Sequence, residues 1–169
     1  MKKTIFACFT VALFGLNTGV VQADEQPVLV PIQRLSLDMA MQAGQAAIAE
    51  CRKQGVQVAV TIIDRGGHPQ VVLRDVLAMD LTLTISRDKA YTAMSFNSPT
   101  KGLEQRLGQA NGIGKVEGII AAAGGLPITA GGTLVGGIGV SGAPSGLTDE
   151  KCAQAGIDAI KADLEMGAF

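Results

Sequence analysis

The 169-residue chain has no tryptophan, one tyrosine, one histidine and three cysteines. So few histidines and cysteines cannot build a zinc site of the usual Cys/His kind, and without a CxxCH segment a c-type haem cannot be attached covalently. Charge is sparse and almost balanced, with 14 Lys and Arg against 15 Asp and Glu. That balance excludes the basic footprint by which proteins grip nucleic acid and leaves small molecules or proteins as partners. Long apolar runs are missing too. The run "IFACFTVALFGL" is shorter than the roughly 20 residues a spanning helix needs, and Asn17 and Thr18 keep it from extending to Val20 and Val21.

A different pattern stands at the start. Met1-Lys2-Lys3, the short apolar run, and Val21 and Ala23 at the two small-residue positions read as a secretory signal peptide over 1–23, cleaved after Ala23. Cys8 lies in the middle of the run, away from the cleavage point, which argues against a lipoprotein. Cleavage removes Lys2 and Lys3 and no acid, so the mature chain is more acidic than the whole and carries no membrane span. The expected location is periplasmic or secreted. An extended leader over 24–34, with Pro27 and Pro31, precedes a single domain over 35–169. Cys51 and Cys152 remain in a compartment that permits a disulfide; spacing alone does not pair them.

Periodicity gives the elements. Ser36 caps a helix whose apolar side is Leu37, Met41, Gly44, Ile48 and Cys51, with Asp38 in its first turn, Arg52 and Lys53 in its last, and Gly55 ending it. Val56 to Ile63 reads as a strand, Asp64-Arg65-Gly66-Gly67 as a turn, and His68 to Leu73 as the returning strand of a hairpin. A helix over Leu81 to Phe96 comes next, in which Ala90 and Ala93 allow close packing. Asn97-Ser98-Pro99 stops it, and Pro99 opens a short second helix through Leu107. After a loop over Gly108 to Gly114, "GIIAAAGGLPITAGGTLVGGIGVSG" predicts three short strands broken at Gly124-Gly125 and Gly131-Gly132. Thr148, with Asp149 and Glu150, starts a final helix whose face holds Ala153, Ile157, Ile160 and Leu164. This order predicts an antiparallel sheet with helices packed on it. If the first and last helices lie antiparallel on one face, Cys51 and Cys152 meet at their ends.

Two motifs lack their context. Gly137, Gly139 and Gly142 match G-x-G-x-x-G, but they lie in and after a late strand with no βαβ unit to complete them, so close packing is the reading. Ser141 sits in "GVSGA", where Ala143 replaces the glycine of a nucleophile elbow. His68 is the most informative single residue: a turn residue by local logic, with ligand or catalyst as the alternative. Arg74 and Asp75 close its strand. Arg87, Lys89, Tyr91 and Met94 lie on the Leu81–Phe96 helix, either lining a pocket or divided between solvent and core.

Taken in order, "VTIIDRGGHPQVVLRD", "DKAYTAMSFNSPT", "GGLPI" and "GGIGVSG" resemble the GlcG/HbpS-like family of haem-binding or haem-degrading-type domains, a family related to the C-terminal domain of PduO-type proteins. The likeness runs from about Leu35 to Leu164. It implies an α/β (α+β) profilin-like fold, a five-stranded antiparallel sheet flanked by helices, with self-association into a homo-oligomer and noncovalent haem binding in some members. The family's D-x-G-G segment falls on Asp64, Gly66 and Gly67, with His68 next. Its basic position falls on Arg74, its K-A-x-T-A segment on Lys89, Ala90, Thr92 and Ala93, its P-T pair on Pro99 and Thr100, and its glycine-rich signature on Gly124, Gly125, Pro127, Gly136, Gly139, Ser141 and Gly142. Many members carry R-x-D where this chain has Arg74 followed directly by Asp75.

The function this implies is haem or tetrapyrrole binding outside the cytoplasm, in haem handling or redox-stress sensing alongside a sensor or transport protein. A porphyrin needs an apolar surface, an axial ligand and cations for its propionates. His68 is the expected iron ligand, with Tyr91 or Met94 behind it, and Arg74, Arg87 and Lys89 are the expected propionate partners. The alternative is a non-catalytic oligomeric accessory module whose glycine-rich strands and alanine-rich helix form subunit contacts. Enzymatic haem breakdown is a third reading, thinly equipped by one histidine without an evident acid–base partner.

Overall fold

A computed structural model describes residues 28–108 and 112–167; the expected signal peptide lies outside the described residues. Helix α1, Leu37–Lys53, starts where expected because the Ser36 hydroxyl accepts the Met39 N–H at 3.3 Å. It ends as Gly55 takes a φ of +74°. Strand β1, Ala59–Asp64, begins later than the apolar run predicted, because the Val56 N–H bonds back to the Cys51 carbonyl and finishes the helix. Strand β2, Pro69–Arg74, returns antiparallel to it. Helix α2 spans Leu81–Phe96 as expected, and Asn97, at a φ of +44°, stops it. The expected Pro99 helix is a 3-10 turn over Thr100–Leu103 running into helix α3, Glu104–Gly108. Strands β3, Gly125–Ala130, and β4, Thr133–Ser141, form a second hairpin, and helix α4, Gly146–Met166, closes the fold.

The sheet order is β2-β1-β4-β3, antiparallel throughout. All six residues of β1 are buried because both of its faces are covered. Alternation sends Val60 and Ile62 into the larger core with α1 and α4, while Ile63 packs with Ala90 and Met94 of α2. Thr61, on the α2 side, shares a 2.8 Å hydrogen bond with the Ser86 hydroxyl. The β4 glycines admit α2 against the sheet. A Cβ at Gly137 would stand 2.7 Å from the Ala90 carbonyl oxygen, and one at Gly139 would overlap that of Ser86. These glycines pack against α2 of the same chain, the close packing that the failed dinucleotide context implied. Across the other face, Gln42 donates to the Ala159 carbonyl and Cys51 is bridged to Cys152, so α1 and α4 run antiparallel.

Two expectations are corrected. The described residues contain four strands, not five: the residues before Gly125 form no strand because side chains satisfy their backbone. The Ile120 N–H donates to Thr92 Oγ1 at 2.9 Å, Thr100 Oγ1 donates to the Ala122 carbonyl at 2.7 Å, and the Ala123 N–H donates to Glu104 Oε1 at 3.1 Å. The last helix also starts before Thr148. Ser145 is its cap, accepting the Leu147 N–H, and Asp149 turns into the interior instead of decorating an exposed first turn.

Candidate functional site

The hairpin turn between β1 and β2 is built around one carboxylate. Asp64, 5% exposed, accepts the Gly66 N–H at 2.8 Å and the His68 N–H at 3.0 Å on Oδ1, while Arg34 stands 3.3 Å from Oδ2. Burial raises its carboxyl, but those two amides, Arg34 and His68 outweigh burial and hold it below the usual carboxylate range. Gly67 takes a φ of +85°, and a Cβ there would stand 2.9 Å from Tyr91 Cε2 and 3.5 Å from Met94 Cε. The turn thus lies directly on α2. His68 comes next in the chain, with its side chain 78% exposed and its Nδ1 3.5 Å from Asp64 Oδ1.

Half-buried Tyr91 and buried Met94 therefore sit beneath Gly67 of the turn, while the imidazole of His68, the next residue, turns to Asp64 and Gly66. Arg65 joins them, with its guanidinium 3.7 Å from the Met94 sulfur. Sequence reasoning took Arg65 only as a turn residue, although its place inside the D-x-G-G segment was the available signal. Arg34 carried no signal at all, being one basic residue in an extended leader.

Of the expected propionate partners, Arg74 and Lys89 lie elsewhere. Arg74 is at the opposite end of β2, donating to the Ala78 carbonyl, beside a cleft of about 410 Å3 lined by Gln45, Ile48, Arg52, Leu73, Arg74 and Asp75. Arg87 is exposed and pairs with Asp88 at 3.3 Å; it stands one helical turn from Tyr91. Lys89 is a correction. Its side chain is only 4% exposed, with Nζ 2.8 Å from Asp149 Oδ2 and 2.9 Å from the Val140 carbonyl, so the ammonium ties α2 to β4 and α4. A group so enclosed cannot reach a ligand at the surface. Burial pushes the Asp149 carboxyl up, against the pull of Lys89 and the Ala143 and Gly142 amides.

Asp75 is also held within the fold: it takes Arg52 on both oxygens, at 2.7 and 2.8 Å, and accepts the Val76 N–H at 3.0 Å.

Among the described residues no three His, Cys, Asp or Glu side chains converge. A metal held at His68 must then bring most of its ligands with it, as a porphyrin does through its ring nitrogens. The side chains at the turn fit such a group: an exposed imidazole, an aromatic ring and a thioether beneath the neighbouring Gly67, and the Arg65 guanidinium against that thioether. No described helix is long and apolar enough to cross a membrane.

A family model described as haem degrading protein HbpS-like matches residues 35–158. A solved double mutant of HbpS from Streptomyces reticuli is similar at 39% identity and a TM-score of 0.76, with 83% of this chain and 97% of that one covered. A PduOC:haem complex is similar at 30% identity and a TM-score of 0.70, covering 75% and 95% of the two chains. The protein ORFY of Klebsiella pneumoniae is similar at 27% identity and a TM-score of 0.77, covering 81% and 97%. Comparison with curated proteins found no match. With the family model spanning most of the folded region and a solved HbpS sharing the fold over nearly its whole length, the chain belongs to the HbpS-like family.

Proposed function

We propose that this protein captures haem, or a related tetrapyrrole, reversibly and without covalent attachment at the His68 turn. The observation that carries the reading is the exposed His68 imidazole on a turn whose Gly67 lies on Tyr91 and Met94, in a chain 30% identical to a PduOC solved with haem. His68 would hold the iron through an imidazole nitrogen. Tyr91 and Met94 form the apolar floor beneath the turn and keep water from that side. Arg65 and Arg87 are the cations for the propionates, the first inside the turn and the second one helical turn before Tyr91. When bound, haem supplies a redox-active iron and a visible chromophore; the residues here bind and orient it.

The proposed location is the periplasm or the cell exterior. The signal-peptide pattern over 1–23 and the Cys51–Cys152 bridge both support an oxidising compartment. Self-association is part of the proposal, supported by Val76, Leu77, Met79 and Leu81, large apolar side chains exposed together between β2 and the start of α2. The same patch favours the second reading, an oligomeric accessory module that takes up haem only adventitiously. The glycines and alanines first expected to form its subunit contacts are spent on intramolecular packing between β4 and α2.

Haemin titration of the chain from Asp24 onward separates the readings. Saturable binding at a fixed stoichiometry, with a defined Soret band, is expected. Weak uptake that never saturates would contradict haem capture and favour the accessory module.

A further inference from the structure

We propose that Asp64 is a positioning residue that holds the His68 imidazole as the Nδ1–H tautomer and leaves Nε2 as the nitrogen with the free lone pair. The proposal deepens the haem reading and rests on it for its purpose, since Nε2 is then the atom offered to iron.

The geometry is specific. His68 Nδ1 lies 3.5 Å from Asp64 Oδ1, beyond a normal hydrogen bond but close enough for the carboxylate charge to act on the ring. A lone pair on Nδ1 facing that oxygen would be repelled, and an N–H there is attracted. Gly66 sets the ring's place: a Cβ on it would stand 3.0 Å from His68 Nδ1, 3.2 Å from Cε1 and 3.2 Å from Asp64 Oδ1. The imidazole thus leans over a residue without a side chain, with its Nδ1 edge turned to the carboxylate. Asp64 is itself buried and fixed by the Gly66 and His68 amides on Oδ1 and by Arg34 at Oδ2. Imidazoles that bind metals commonly have a carboxylate or carbonyl behind the other ring nitrogen, where it fixes tautomer and orientation.

The test uses the fact that this is the chain's single histidine. Long-range proton–nitrogen correlation spectra of the untagged apoprotein at about pH 8.5, above the ordinary imidazole range, report its tautomer from one pair of nitrogen shifts. The wild type is expected to show protonated Nδ1. Asp64→Asn keeps an oxygen to accept both amides while removing the charge, and is expected to move the population toward Nε2–H. Gly66→Ala keeps the charge but pushes the ring away, and is expected to move it in the same direction. A wild-type ring protonated at Nε2, or a tautomer unchanged in both variants, would overturn the proposal.

Haemin affinity is read in parallel. Asp64→Asn is expected to weaken it by about 10-fold or more. A tautomer that depends on Asp64, together with haemin binding indifferent to His68→Ala, would support the positioning and reject the haem reading alone.

Discussion

Asp64 and Asp75 stand at opposite ends of the β1–β2 hairpin, both buried and both partnered, and their chemistry predicts how the fold responds to acid. The two-pronged hydrogen bond from Arg52 holds the Asp75 carboxyl below its usual range against the opposing effect of burial, and the turn amides do the same for Asp64. A carboxyl whose folded value is depressed binds protons more weakly folded than unfolded. Its contribution is therefore complete above the unfolded value of about 4 and is lost as pH falls through the folded one. Urea midpoints measured from about pH 6 down to pH 3 should fall steeply only in the acid part. Asp75→Asn should start lower and show a shallower acid fall; an acid fall as steep as that of the wild type would show that this carboxyl carries none of the linkage. At this scale the sequence showed where His68 lies, because Asp64, Gly66 and Gly67 can hardly be anything but a turn. It could not show that Lys89 points inward, since a lysine on a helix ordinarily meets water; its burial depends on Gly124, the Val140 carbonyl and Asp149, all distant along the chain.

Among the elements, α2 is the most constrained. It sits against a strand whose inner positions have no side chains, and it is anchored by a buried ion pair. Gly139→Ala would set a methyl group against the Ser86 carbonyl, so it should destabilise by about 1–3 kcal/mol or prevent folding, whereas Gly132→Ala, with open space around it but a φ of +82°, should cost only the smaller backbone strain. Equal melting temperatures for the two variants would contradict close packing as the reason for glycine at 139. Lys89→Met leaves Asp149 buried without its cation and should destabilise by about 3–5 kcal/mol, and adding Asp149→Leu should recover much of the loss. A double variant no more stable than Lys89→Met would show that the pair is more than a matched burial of charge. The bounds of α1 and α2 were legible from caps and stops that act locally. The strand count was not: Thr92, Thr100 and Glu104 take over the backbone groups before Gly125, and no local pattern reveals such distant partners.

For the whole molecule, the disulfide is the longest covalent constraint, closing a sequence separation of 101 between the end of α1 and the first turns of α4. Reduction should lower the unfolding free energy by about 2–5 kcal/mol, read as a shift in the urea midpoint with and without reductant. An unchanged midpoint would mean that α1 and α4 hold together without the bridge. Helix order and the antiparallel sheet could be read from periodicity, and the family from four short segments in order, but the grouping of the turn that carries His68 with Tyr91 and Met94 required the hairpin to be seen lying on α2. Haem capture at this turn depends on that grouping. Its most direct test is the absorption spectrum and haemin affinity of the mature protein beside His68→Ala. The expected result is a saturable wild-type site whose Soret band shifts and whose affinity falls at least about tenfold in the variant; identical spectra and affinity in the two proteins would contradict His68 as the iron ligand.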